Sequence, residues 1–245
     1  MYYIKENMRE TRNAMLRFLD TLQFVLFVFF TAAYAYQIVY LVIGLVGKGR
    51  HGKQDARLHR YAAVIAARNE EGVIGELIRD LKAQNYPAGL LDVFVVADNC
   101  TDGTAAVSRE AGAVVYERFN KVQVGKGYAL DWLFKRIFAD KGEQTYDGFF
   151  VFDADNLVDP NFVREMNKMF DTGEYAALTS YRNSKNFCDN WISAGYALWF
   201  LREARFLNRP RTQLGVNCAV SGTGFLVAGD VIREDGGWPY HLLTE

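Results

Sequence analysis

The chain has 245 residues, half of them apolar, and carries 28 lysines and arginines against 29 aspartates and glutamates. That is enough chain and apolar surface for one large domain with a sizeable core, and a net charge of -1 leaves no global basic field that would recruit nucleic acid. Cys100, Cys188 and Cys218 are odd in number and widely spaced, and His51, His59 and His241 form no HExxH, so a disulfide framework and a zinc ligand set are both excluded and reduced thiols in a cytosolic setting are indicated.

Residues 1–20 read as an N-terminal arm. The stretch 21–47, TLQFVLFVFFTAAYAYQIVYLVIGLVG, is 27 residues without a charge. As a helix it is about 40 Å long, more than the roughly 30 Å of hydrocarbon in a bilayer, which predicts one tilted transmembrane helix. A signal peptide has a shorter apolar region and a small-residue cleavage site, and a soluble core helix is rarely so long without interruption. Both flanks are basic, with Lys5, Arg9, Arg12 and Arg17 before and Lys48, Arg50, Lys53, Arg57 and Arg60 after. The second group is denser, which puts the larger C-terminal part on the cytoplasmic side and makes 48–60 a basic linker.

Beyond residue 60 apolar strands alternate with helical patterns. YAAVIAA (61–67) predicts a strand and VIGELIRDLKAQ (73–84) a helix; LDVFVVAD (91–98) is a second strand, followed by a helix near 104–111. AVVYE (113–117) is a third strand, GYALDWLFKRIF (127–138) a helix, YDGFFVFD (146–153) a fourth strand, NFVREMNKMF (161–170) a helix and YAALTSY (175–181) a fifth strand. The aromatic-rich WISAGYALWFLREARFLN (191–208) is a longer helix. This alternation predicts an α/β domain over 61–245 with a mostly parallel sheet covered on both faces.

In such a sheet ligands bind at the carboxyl ends of the strands, and polar residues collect there: Arg68, Asn69, Glu70 and Glu71 after the first strand, Asp98 to Asp102 after the second, Asp153 and Asp155 after the fourth. Asp102, Thr104 and Asp159 can be explained as helix caps, but capping does not require three strand ends to be polar together. Were the strand to run through Asp153 and Asp155, the two carboxylates would share a face about 6 to 7 Å apart and would repel unless a cation lay between them. A hard divalent ion fits that need, whereas solvated loop carboxylates are the plainer alternative. The GKG at 125–127 matches neither a phosphate loop nor a dinucleotide fingerprint. It leaves Lys126 at a helix start between two glycines, in reach of phosphate as a point charge or simply solvated.

AARNEEGVIGELIRDLKAQNYP, VVADNCTDGTA, GKGYALDWLF, FDADNLVDPNFV, VSGTGFLVAGDVIREDGGW and HLLTE, in this order, closely resemble the family 2 glycosyltransferases, in the branch of the cellulose, chitin, hyaluronan and poly-N-acetylglucosamine synthases. The resemblance covers 61–245 and implies a GT-A fold and transfer of a sugar with inversion, from a UDP-sugar to a glycan or lipid-linked acceptor, at a membrane and in surface or extracellular polysaccharide synthesis. It implies Mg or Mn at Asp153 and Asp155, and a nucleotide site that includes Arg68, Glu70, Asp98, Lys126 and Asp153, with Asp98 toward the uracil. Ala66 stands where the family's opening segment usually has proline.

The family draws its general base from a TED-like triplet, whereas this chain ends at Thr244-Glu245. The base is therefore expected immediately after Glu245, no catalytic residue is assigned, and the 245 residues read as a fragment that binds donor and metal and transfers little. A haloacid-dehalogenase-type phosphatase places its DxD on the first strand, and a glycoside hydrolase needs carboxylates on two sides of the scissile bond, so neither fits. A non-catalytic, membrane-tethered sugar-nucleotide-binding protein is the alternative from another class. Trp191 and Trp199 are expected in packed positions, and Trp238 is the candidate for stacking on an acceptor sugar.

Overall fold

The computed structural model describes residues 2–47, 49, 52–220 and 222–239, with side chains from residue 12 onward. Thr244 and Glu245, His51 and His241, and the flanking Lys48 and Arg50, lie outside the described residues. Internal contacts divide the chain into two compact units, residues 1–48 with 202–218, and residues 49–201 with 219–245.

The first unit begins with α1 (Tyr2–Tyr34) and α2 (Tyr36–Val46), separated by Ala35. Residues 12–46 are helical over 35 residues and include an 18-residue window with mean hydropathy 1.9 and nothing buried, long enough and apolar enough to cross a bilayer. A π-helical turn (Glu203–Asn208) and α8 (Arg209–Gln213) pack on α2. Gly44 is needed there, because a Cβ would collide with the Arg205 carbonyl and the Phe206 ring. Arg209 donates to the Gly47 carbonyl, and the Arg211 guanidinium lies 5.9 Å from the centre of the Tyr40 ring.

The second unit is built on six strands: β1 (Tyr61–Ala67), β2 (Leu91–Asp98), β3 (Val114–Arg118), β4 (Gly148–Phe152), β5 (Ala177–Thr179) and β6 (Phe225–Ala228). Their order is β3-β2-β1-β4-β6-β5. The first four are parallel, while β6 pairs antiparallel with both β4 and β5. The helices are α3 (Ile74–Lys82), α4 (Thr104–Glu110), α5 (Lys126–Lys141), α6 (Phe162–Phe170), α7 (Trp191–Arg202) and α9 (Gly229–Glu234). The sheet is thus mixed, mostly parallel and helix-covered, as the alternating pattern predicts; β6 was not among the predicted strands.

Strand alternation sorts the core into two layers. Tyr61, Ala63 and Ile65 of β1 face α3 and α6 through Leu77, Ile78, Val163 and Met166. Ala62 and Val64 face the other way, toward α5, through Leu130, Leu133, Phe134 and Ile137. Each such fully buried side chain is worth about 1.5 to 3 kcal/mol of transfer free energy, so strands apolar at every position belong between two helical layers.

Two aromatic expectations are corrected. Trp191 and Trp199 are 84% and 56% exposed: the inward positions of α7 go to small residues, Ser193 and Ala197. Trp238 stacks on Phe134 with ring planes 3° apart and leans on Phe225, which makes it part of the core layer under α5.

Candidate active site

The strand order runs β1, β2, β3 in one direction and returns to β4 on the other side of β1. At such a reversal the loops leaving two neighbouring strands turn apart and open a crevice at their carboxyl ends. Arg68, Asn69 and Glu70 leave β1 on one side of it, and Asp153 and Asp155 leave β4 on the other.

Asp98, the last residue of β2, is only 4% exposed. Arg68 reaches it from the neighbouring loop, Nη2 to Oδ2 at 2.7 Å and Nε to the Asp98 carbonyl at 3.1 Å. Arg118, at the end of β3, donates to Oδ1 at 2.6 Å, and its other terminal nitrogen donates to the Gln123 carbonyl at 2.8 Å. A buried carboxylate needs such partners to stay charged. Asn99 Nδ2 also donates to Oδ1 at 3.1 Å. An ionised carboxylate offers about four acceptor positions, and these bonds use three of them.

Asn69 and Asn99 both have positive φ, 57° and 54°, a region costly for side chains other than glycine and tolerated best by asparagine. Their amides explain the choice. Asn69 Oδ1 accepts from the Thr101 amide at 2.8 Å, joining the loops after β1 and β2. Asn99 holds the backbone of Asn120 by both groups, Oδ1 from the amide at 2.9 Å and Nδ2 to the carbonyl at 3.0 Å. Glu70 is placed by its main chain, whose N–H donates to Thr104 Oγ1 at 2.8 Å. Asp102 accepts from the Thr104 amide at 3.0 Å and from its hydroxyl, and this hydroxyl bond is the main reason its carboxyl lies below the usual range.

Asp153 and Asp155 are not in a strand. β4 stops at Phe152 because the next amide, that of Asp153, donates to the Thr223 hydroxyl at 2.7 Å, and the chain then turns, with the Asn156 amide on the Asp153 carbonyl at 3.3 Å. The same-face geometry expected of strand residues therefore does not apply; Ala154 is buried between two carboxylates in a turn. Lys126, the first residue of α5, ion-pairs with Asp153 and lies 3.3 Å from the Gly222 carbonyl. Asp155 is exposed. A cavity of about 840 Å³ opens beside this turn, over the ends of β4, β6 and β5, and Phe162, Asn156, Thr223, Arg182 and Lys185 are among the residues that line it.

As donors for a metal, the pair offers two hard carboxylates, and the described residues contain no group of three or more metal-ligating side chains. That set suits an ion completed by phosphate oxygens and water, as Mg or Mn bound to a diphosphate is, and not a closed structural site.

Arg118, Asn99 and Thr223 were not singled out by sequence reasoning. Arg118 and Asn99 had a faint signal in the polar residues collecting at strand ends, and Thr223 in its place within VSGTG.

A family model described as "Glycosyltransferase like family 2" matches residues 59–244. The chain is 27% identical over 184 residues to a beta-monoglucosyldiacylglycerol synthase of Synechocystis sp., covering 74% of this chain and 37% of that protein. It is 30% identical over 168 residues to a hyaluronan synthase of Streptococcus pyogenes, covering 64% and 38%. The chain thus spans less than half the length of these relatives. Among solved structures it resembles in fold a mannosyltransferase from Pyrobaculum calidifontis in complex with GDP-Man and Mn2+, with TM-score 0.61 and 17% identity over 87% of this chain and 58% of that one. S. aureus TarS 1-349 in complex with UDP-GlcNAc gives TM-score 0.53 and 13% identity over 72% and 47%.

Proposed function

The chain belongs to the family 2 glycosyltransferases, and we propose that it is the donor-binding, membrane-anchored part of an inverting enzyme that moves a sugar from a UDP-sugar to a glycan or lipid-linked acceptor, in the synthesis of a surface polysaccharide or glycolipid. The observation that carries this reading is the division of the sheet edge into two polar centres: Asp98 between Arg68 and Arg118 at the ends of β2 and β3, and Asp153 with Lys126 and Asp155 past the end of β4. A nucleotide diphosphate has a base at one end and a concentrated negative charge at the other, and the two centres match those needs.

In this reading the remaining acceptor direction of Asp98 takes an N–H of the base, with Arg68 beside it and Glu70 at the mouth of the crevice. Lys126 exchanges Asp153 for a phosphate oxygen. Asp153 and Asp155 hold Mg or Mn, which when bound offsets the charge that grows on the departing diphosphate. The cavity over β4, β6 and β5 receives the transferred sugar or the acceptor. Residues 12–46 anchor the chain in the membrane once, with the sheet domain in the cytoplasm, where nucleotide-sugars are made. No nucleic acid partner is proposed. A panel of UDP-sugars tested by thermal unfolding with and without Mn checks the reading, since a ligand bound only by the folded state raises the midpoint. No shift with any nucleotide-sugar would overturn it.

A further inference from the structure

α7 has an outward face without the polar side chains of a helix on a water-soluble surface. At about 100° per residue, the buried Ser193 and Ala197 define its inward side. Trp191, Ile192, Tyr196, Leu198 and Trp199 fall on the opposite arc, about 160° wide, with exposures between 53% and 84%. No charged side chain lies in Trp191–Leu201. The inward half also holds the half-buried Phe200 and Leu201, so the helix is apolar on its outward arc as well, where a soluble helix is usually polar, and a contiguous aromatic patch of this kind marks an interaction surface.

We infer that this face of α7 is seated in the interfacial layer of a lipid bilayer, a second membrane contact besides the apolar N-terminal helix. Three observations favour lipid over a protein partner. Two tryptophans and a tyrosine on one face match the preference of amphipathic rings for the headgroup level. The chain runs on from α7 without a break into residues 202–218, which belong with the apolar helix in the first unit, where Arg202 Nη2 bonds Gln37 Oε1 at 3.1 Å. That following segment, 202–213, carries Arg202, Arg205, Arg209 and Arg211 against the single acid Glu203, a sign of charge suited to anionic headgroups. The inference rests on the chain being membrane-anchored and does not depend on which nucleotide-sugar is bound.

The tryptophans make it testable in the full chain. The protein has four, Trp132, Trp191, Trp199 and Trp238, and residues 1–48 contain none, so intrinsic fluorescence reads α7 without signal from the anchor. The full chain is reconstituted in phosphatidylcholine and phosphatidylglycerol vesicles containing phosphatidylcholine brominated near the headgroup end of its acyl chains. Up to about half of the emission should be quenched, two of four tryptophans being at the interface. The W191F/W199F variant, equally apolar there, should float with the vesicles as the parent does and lose most of that quenching. Equal quenching of parent and variant would overturn the inference, as would unquenched tryptophans in a chain that cross-links to a second copy through α7. Failure to float would remove the anchoring premise, while the nucleotide-sugar shift would still stand or fall by itself.

Discussion

Arg118 and Asp98 form an ion pair at 2.6 Å between the ends of adjacent strands, with 3% and 5% of their side chains exposed. Removing one partner of such a pair leaves a buried charge without compensation and costs about 3 to 5 kcal/mol. Arg68 remains on Asp98 in an Arg118→Ala variant but is itself 43% exposed, so it offsets only part of the loss. We expect Arg118→Ala to lower the urea midpoint markedly and Arg118→Lys to recover part of it, since lysine keeps the charge but cannot hold Asp98 and the Gln123 carbonyl together. Equal midpoints for the alanine variant and the parent would show that the pair contributes nothing.

The acidic turn gives the second prediction. With a UDP-sugar and Mn at one hundred times the dissociation constant, the parent gains about 2.7 kcal/mol, or about 5 to 10 °C for a chain of this size. The D153A/D155A variant is expected to lose the Mn-dependent part of that shift and to keep its ligand-free midpoint within a few degrees, because both side chains are at least partly solvated. An undiminished Mn-dependent shift in the double variant would remove both residues from the metal proposal.

How much of this was readable beforehand depends on where each signal resides. β1 and β2 end where the sequence predicts, because the apolar runs YAAVIAA and VFVVA stop at charged residues, and burial in a two-layered core is a property of composition along the strand. β6 has four residues, Phe225–Ala228, too few to carry a period, and its place between β4 and β5 comes from pairing across the sheet. The end of β4 was misplaced by one residue because a side chain 70 positions away, Thr223, takes the amide of Asp153. Arg118 lies one residue beyond the predicted third strand and was not singled out; only the neighbouring strand shows what it holds. The outward face of α7 was misjudged for the converse reason: an apolar pattern says that a face avoids water without saying what it meets.

Asn99 supplies a third prediction, in which strain and contact can be separated. Asn99→Ala loses both bonds to the Asn120 backbone and places a Cβ at φ 54° without a compensating amide; a cost of about 1 to 3 kcal/mol is expected. Asn99→Gly relieves the strain and loses only the bonds, so it should be the milder variant. Both should weaken nucleotide-sugar binding, because the loop they loosen leads to Lys126. If glycine were as damaging to stability as alanine, strain at this position would be negligible.

A fourth prediction concerns acid. Asp171, at the end of α6, faces His59, whose Nε2 is 2.9 Å from Oδ1, and Lys53, whose Nζ is 3.2 Å from Oδ2; Asp147 lies on the other side of the same imidazole, 3.5 Å from Nδ1. The bond to the His59 ring is the main reason the Asp171 carboxyl lies below the usual carboxylate range, with the Lys53 contact adding to it against partial desolvation. A carboxyl whose pKa is lowered by folding binds fewer protons folded than unfolded. Its contribution is therefore complete above the unfolded value of about 3.9 and is lost as pH falls through the lower folded value. Asp171→Asn should accordingly be less stable than the parent at pH 7, with the difference in urea midpoints narrowing below about pH 4. A difference that stays constant down the acid limb would mean that the asparagine is penalised for shape alone. The site matters beyond stability, because His59 and Lys53 lie in the stretch leading into β1, and Asn167 of α6 holds the same stretch through the Arg57 carbonyl and the His59 amide. Loosening Asp171 should therefore raise proteolytic cleavage within 52–60 before it affects the sheet.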